Sequence, residues 1–222
     1  MDAPVWRSCG NILSARGTGL ASDEDGRDTA TQLVPVLPLN DVCLFPGASL
    51  TVLVDQPGAA TAVEIATRTG GLLLALARRE GSDGPRDLHS VGTLAQVREC
   101  ETTAPLEHRL ELDGLSRAQV QQLIGADVLV AEVTTLPEGD ESDESGPAVE
   151  ALARYLHAHR ELRGFLEQQH RSGSPLSWIN LACQHLPITG SARQKLLEAN
   201  APERCAKISR GLDALLRKEQ ST

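Results

Sequence analysis

Leu37-Pro38-Leu39-Asn40-Asp41-Val42-Cys43-Leu44-Phe45-Pro46-Gly47 decides the reading of this chain. Two short apolar segments flank an Asn-Asp pair, and the second closes on Pro-Gly. Each proline pushes the residue before it out of the helical region, so Val34 to Leu39 reads as extended. Two prolines in one strand place it at a sheet edge or break it with bends. Asn40-Asp41 carries turn chemistry, because such side chains bond their own backbone and Pro46-Gly47 reverses the chain. A second reading makes the pair a polar contact beside an apolar groove of Leu39, Leu44 and Phe45. The Pro-Gly end favours the turn. The candidate protein-binding residues under the second reading are Leu39, Asn40, Asp41, Leu44, Phe45 and Pro46.

Outward from this stretch, the texture is β-like. Leu50, Val52 and Val54 alternate with polar neighbours. Pro57 opens a helix with Ala60, Val63, Ile65 and Ala66 as its apolar positions and Gly70-Gly71 as its stop. Leu72 to Ala77 reads as a buried strand. Val91 to Val97, His108 to Leu115, Arg117 to Ile124 and Val128 to Leu136 read as further strands, with Gly125-Ala126-Asp127 as a hairpin loop. After Pro147 the period becomes helical. Val149, Leu152, Tyr155 or Leu156, His159, Leu162 and Leu166 mark one face of a long helix. Ser174-Pro175, Thr189 and Asn200 then start three more helices. The expected fold class is α+β: a β-rich barrel or pair of sheets with one helix over 32–137, then a helical bundle over 148–219. A polar, acid-containing leader is expected over 1–31. An acidic linker over 138–147 is expected to be extended, keeping the two parts separate.

Composition excludes several function classes. The 222 residues carry a net charge of −9 and 41% hydrophobic residues, enough for a real core. Residues 32–137 have seven Arg against thirteen acids, and 151–222 have eleven bases against six acids. An acidic front argues against duplex binding, which needs cationic surface. The only aromatics are Trp6, Phe45, Tyr155, Phe165 and Trp178, too few for a base-stacking platform. The five cysteines are widely spaced and form no Cys-x-x-Cys, against a zinc ribbon or disulfide framework. Cys43, Cys183 and Cys205 read as small core residues. No segment has signal-peptide or membrane-span length of apolar residues, so a reducing cytoplasm is the expected setting.

The chain resembles the Lon protease N-terminal region. The family's opening pattern, close to Leu-Pro-Leu-x-Asp-x-x-x-Phe-Pro-Gly, is matched from Leu37 to Gly47. Further matches are Gly70-Gly71-Leu72-Leu73-Leu74-Ala75-Leu76-Ala77, Val91-Gly92-Thr93-Leu94-Ala95-Gln96-Val97 and Asp113-Gly114-Leu115-Ser116-Arg117-Ala118. In the bundle, Leu186-Pro187-Ile188 leads to Lys195-Leu196-Leu197-Glu198. These five matches occur in the family's order over about 33–219. The resemblance implies a PUA-like β domain followed by a helical bundle. It implies a non-catalytic module that recognises exposed apolar segments or degrons of client proteins without ATP. The alternative it leaves is a regulatory or scaffold protein that binds full-length Lon or itself. No nucleic acid or membrane partner and no cofactor are expected.

The parts that make a Lon protease an engine are not in this sequence. There is no Gly-x-x-x-x-Gly-Lys-Ser/Thr phosphate loop, and no Gly-Lys pair at all. The only lysines, Lys195, Lys207 and Lys218, fall in expected bundle helices and not beside a Gly-rich serine turn. The chain reads as a stand-alone Lon-domain protein or a fragment, and its Met start and polar end favour the first. His157-x-His159 and Glu167-x-x-His170 raise the question of a metal. Residues two apart on a helix face different directions, so His157 and His159 do not readily share an ion. Ser49, Ser116, Ser177 and His185 lack any Gly-x-Ser-x-Gly context, and no hydrolase is read from them.

Overall fold

A computed structural model describes residues 31–81, 84–138, 145–169 and 174–219. Nearly all of the expected leader, and residues 139–144 of the expected linker, lie outside them. The β half contains β1 (Gln32–Leu39), β2 (Ser49–Val54), β3 (Leu72–Ala77), β4 (Val91–Ala104), β5 (Glu107–Ile124) and β6 (Val130–Thr135). One helix, α1 (Pro57–Arg68), lies between β2 and β3.

Five of these strands close into a ring. β1 uses Gln32–Pro35 to pair antiparallel with β6 and Val36–Leu39 to pair parallel with β3. β3 pairs with β4, β4 with β5, and β5 with β6, all antiparallel. β2 stands outside the ring, paired on one side only, against His108–Asp113 of β5. β5 therefore serves three neighbours along its 18 residues. Register shifts at Leu94/Ala95, Val97/Glu99 and Val120/Gln122 let β4 and β5 bend around the ring.

The alternation of strands sorts the core into two layers. Val34, Val36, Leu74, Leu76, Leu94, Ala118, Ala131 and Val133 come from all five ring strands and fill the interior. Leu37, Leu39, Leu73, Ala75, Ala95, Leu110 and Leu112 point the other way, most of them toward Ala60, Val63 and Ala66 of α1. β3 is buried on both faces, which is why Leu72–Ala77 is apolar throughout rather than alternating. α1 starts with Pro57 in its first turn and ends where Gly70 and Gly71 take positive φ (109° and 81°). Its buried face is Ala60, Ala62, Val63 and Ala66. Ile65, expected on that face, is 36% exposed.

The helical half contains α2 (Ser145–Ala158), α3 (Arg160–Gln169), α4 (Pro175–His185), α5 (Gly190–Glu198) and α6 (Ala201–Glu219). The single long helix expected from Val149 to Leu166 is broken at His159. Its ring nitrogen Nδ1 lies 2.8 Å from the Tyr155 carbonyl, which the His159 backbone N–H also reaches at 3.2 Å. The ring stacks on Tyr155 at 4.0 Å. These contacts hold the His159 ring back over the preceding turn at the point where α2 and α3 separate. Thr189 caps α5 by accepting from the Ala192 N–H at 3.2 Å, and Asn200 caps α6 by accepting from the Glu203 N–H at 3.0 Å. Among the described residues no helix is long and apolar enough to cross a membrane.

The two halves are not held apart, as an acidic spacer suggests, but share one core. Cys43, Phe45, Ala48, Ala77 and Val91 from the barrel side join Leu152, Tyr155, Ile179, Cys183, Leu197, Cys205 and Leu212 from the helices. An amphipathic bundle of this size hides its apolar face only by docking it on another layer. These assignments predict unequal costs. Leu74→Ala should destabilise the fold by about 2–5 kcal/mol, whereas Ile65→Ala should stay within about 0.5 kcal/mol. Urea denaturation followed by circular dichroism measures both.

Candidate functional site

The loop between β1 and β2 is the docking surface for the helices. Asp41 and Gly47 take positive φ (56° and 74°), turning the chain at each end of an extended Val42–Phe45 segment. Three polar side chains of the bundle hold it, two of them by its backbone. Asn180 Nδ2 donates to the Pro46 carbonyl at 2.9 Å. Gln184 accepts from the Phe45 N–H at 3.2 Å and donates to the Ser49 carbonyl at 2.8 Å. Gln194 accepts from the Cys43 thiol at 3.5 Å and donates to the Val91 carbonyl at 2.9 Å. From the barrel, Thr93 Oγ1 donates to the Leu44 carbonyl at 2.6 Å. A Cβ on Gly114 would stand 2.3 Å from the Phe45 carbonyl oxygen, so only glycine lets β5 approach the loop. Burial pushes the Cys43 thiol up to about 11 and the Cys183 thiol to about 12, so both stay protonated packing groups.

A buried ionic cluster completes the junction. Arg117 on β5 and Arg204 on α6 share Glu138, at 2.7 Å to Oε1 and 3.1 Å to Oε2. Arg117 also donates to the Leu197, Glu198 and Pro137 carbonyls. Arg204 donates to the Leu196 and Ala199 carbonyls and, at 2.6 Å, to Asn180 Oδ1. The last carbonyls of α5, which no intrahelical N–H can reach, are thus filled by two guanidinium groups from opposite halves. Burial lowers the Arg204 pKa, against the opposing pull of Glu138. Its guanidinium also sits over the Phe45 ring, 5.7 Å from the centroid.

The residues singled out from the sequence divide sharply. Leu39, Leu44, Phe45 and Pro46 are buried, Phe45 completely, so they form no apolar groove open to a client. Phe45 is buried in the core shared with the bundle, and Leu39 and Leu44 in the layer between the sheet and α1. Asn40 and Asp41 are exposed and line a cleft of about 630 Å³ with Arg78, Arg79 and Glu80. Asn180, Gln184, Gln194, Glu138 and Arg204 were not singled out. The available signal was a polar residue set beside an apolar stripe, as Asn180 is beside Ile179 and Gln184 beside Cys183. Among the described residues, no three or more His, Cys, Asp or Glu side chains are grouped to hold a metal.

The barrel leaves open the end of β4 beyond Val97, which pairs there with β5 alone, and the outer edge of β2. Its first residue is bonded by Gln184, and the adjoining surface carries His185 and Phe165, edge to face at 4.8 Å between ring centres. Leu53 on β2 is 60% exposed and Phe165 on α3 42% exposed. An unpaired strand beside exposed apolar side chains can take an extended polypeptide by main-chain hydrogen bonding. Burial and, secondarily, Arg193 lower the His185 pKa, so the ring is neutral at pH 7.

A six-stranded sheet with five strands closed into a ring, docked through a polar loop onto a helical bundle, is an α+β architecture. The sequence model of the ATP-dependent protease La (LON) substrate-binding domain matches residues 33–213. The chain belongs to this family, whose domain is a non-catalytic module. It is 31% identical over 153 residues to a Lon protease of Desulfovibrio desulfuricans, covering 65% of this chain and 17% of that one. It is 30% identical over 196 residues to Lon protease 1 of Thermus thermophilus, covering 83% and 24%. The chain therefore spans a quarter or less of these relatives. The solved N-terminal domain of a Mycobacterium avium complex Lon protease superposes with a TM-score of 0.67 at 23% identity, covering 82% of this chain and 98% of that one. A Lon N-terminal domain protein from Xanthomonas campestris gives 0.59 at 21%, covering 80% and 96%. Both share the fold.

Two outcomes test the junction. Arg204→Ala and Glu138→Gln should each destabilise the protein by about 3–5 kcal/mol in urea: the first leaves Asn180 Oδ1 and the Leu196 and Ala199 carbonyls without their donor, and the second leaves two buried guanidinium groups without a carboxylate. The double variant should cost less than the sum, since the two groups act as one unit. His185 is held neutral in the fold, so its stabilising share is present above about pH 6.5 and lost as pH falls toward its lower folded value. The stability of His185→Gln should fall less steeply than that of the native chain below that pH.

Proposed function

We propose that the protein recognises exposed apolar segments or degrons of other proteins and holds them without hydrolysing them. The observation that carries this reading is the match of residues 33–213 to the Lon substrate-binding domain. The open β2 edge, flanked by Leu53, Phe165 and neutral His185, supports it as the surface that meets a client. The loop residues Asn40 and Asp41 contribute at most polar contacts, because Leu39, Leu44, Phe45 and Pro46 are occupied within the fold. The four described cysteines are free thiols, in keeping with a reducing cytoplasmic setting.

The test is binding of one labelled model protein in unfolded and native forms. The protein should bind the unfolded form at least about tenfold more tightly, with no dependence on ATP. Phe165→Ala should weaken that binding at unchanged stability. Equal indifference to both forms would remove the client-binding reading. It would leave the scaffold one, in which the protein binds full-length Lon or a second copy of itself.

A further inference from the structure

We propose that the open edge of β2 takes an extended protein segment whose side chains alternate apolar and basic. This rests on the recognition reading above and narrows its substrate class.

The edge itself is the first argument. β2 ends the sheet, and the Ser49 carbonyl, bonded by Gln184 of α4, points away from β5. In an antiparallel ladder, every second residue turns its N–H and C=O to the same side. Thr51 and Leu53 therefore present theirs on the open side. Among the described residues no other element takes up those groups by backbone hydrogen bonding. An arriving strand finds two donors and two acceptors already spaced for pairing.

The two faces of that edge differ. On one face, Leu50 and Val52 are partly buried against the cluster that includes Val54, Leu110 and Leu112. A strand added beside them extends this apolar layer with its own apolar residues. On the other face, Thr51 stands opposite Glu111 and Leu53 opposite Arg109, and beyond these stand Glu99 and Glu101 of β4. Arg98 is engaged with Glu111 at 3.1 Å and Asp113 at 4.0 Å. Glu99 and Glu101 are exposed and lie in no ion pair among the described residues. The shelf therefore keeps a negative excess. An added strand lies about 4.8 Å beyond β2, and a lysine stem laid across the small Thr51 side chain reaches toward Glu111. Side chains on an added strand alternate between these two faces, and so the segment should alternate too.

The experiment measures fluorescence anisotropy of labelled peptides of about ten residues against the full chain. The probes are alternating Val-Lys, alternating Val-Glu, and a Val-Lys peptide of identical composition arranged in two blocks. The alternating Val-Lys peptide should bind about tenfold more tightly than either other. Thr51→Pro removes an outward N–H while leaving the β5 ladder intact, and should weaken that peptide about tenfold. Glu99→Lys with Glu101→Lys should reverse the preference between the Lys and Glu peptides. Should Thr51→Pro fail to fold by circular dichroism, Leu53→Pro and the charge-reversed pair carry the test. No binding of the Val-Lys peptide, equal binding of the blocked peptide, or binding untouched by these variants would overturn the proposal. So would sedimentation as a dimer that Thr51→Pro dissociates, which assigns the edge to a second copy. Discrimination of unfolded from native protein that survives those failures leaves the recognition reading standing without this edge. Its loss removes both.

Discussion

Two guanidinium groups from opposite halves of the chain meet at one helix terminus, and the arrangement of the molecule depends on it. Arg117 belongs to the barrel and Arg204 to the last helix. Between them they fill the carbonyls of Leu196, Leu197, Glu198 and Ala199 and share the carboxylate of Glu138. Two buried cations repel each other, and the single carboxylate does not neutralise both. The negative end of α5 supplies the rest of the compensation. Such a cluster contributes modestly to net stability, because desolvation offsets most of the attraction. Its geometry is demanding, however, and it is satisfied in one docking orientation. Apolar contacts between barrel and bundle would permit sliding, whereas the shared ions and the Asn180, Gln184 and Gln194 contacts fix the register.

Seen from this junction, the sequence matches acquire a common reason. Leu37–Gly47 supplies the loop that Asn180, Gln184 and Gln194 hold. Val91-Gly92-Thr93 brings Thr93 to the Leu44 carbonyl and Val91 to Gln194. Gly92 lets β4 lie against β3, because a Cβ there would stand 2.4 Å from the Ala75 carbonyl. Gly114 and Arg117 belong to one match, and Leu186 to Glu198 to another. Four of the five resemblances thus converge on one interface between the halves. They are constraints of assembly, and the turn reading of Asn40-Asp41 agrees with that role.

The fold was legible wherever a local rule operated alone. Most strands and α1 fell close to their expected places, because alternation, Pro57 and the Gly70-Gly71 stop are signals within a few residues. The strand expected over Val91 to Val97 runs on to Ala104, however, and His108 to Leu115 and Arg117 to Ile124 form the single strand β5. α4, α5 and α6 start after Ser174, Thr189 and Asn200 as expected, with capping bonds from Thr189 and Asn200 and none from the Ser174 side chain. The site was less legible, because its residues act at a distance in sequence. Glu138 opens a run of acids and looks like linker until Arg117 and Arg204, 21 and 66 residues away, are placed beside it. The break at His159 falls where its ring is held back over the preceding turn, which no apolar period records. The loop residues were apolar for the reason that misdirected their reading. Phe45 looks available in sequence because the helices that cover it come more than a hundred residues later, and Leu39 and Leu44 because the strands and α1 that bury them are brought together only by the fold.

This division of labour bears on where recognition can occur. A loop whose backbone carbonyls and apolar side chains are already taken by α1, β4, α4 and α5 has little left to offer a client. Within the ring each strand has neighbours on both sides, although β4 beyond Val97 pairs with β5 alone. β2 is paired on one side along its whole length, and it is anchored at its first residue by the same Gln184 that holds Phe45. The junction therefore does two things with one side chain. It fixes the bundle on the barrel, and it orients the start of the unpaired strand beside Phe165 and His185. A rigid edge next to exposed apolar groups binds an extended segment with less ordering cost than a mobile loop would. The specificity then lies in the faces of β2 and its neighbours, whose residues the opening motif does not contain.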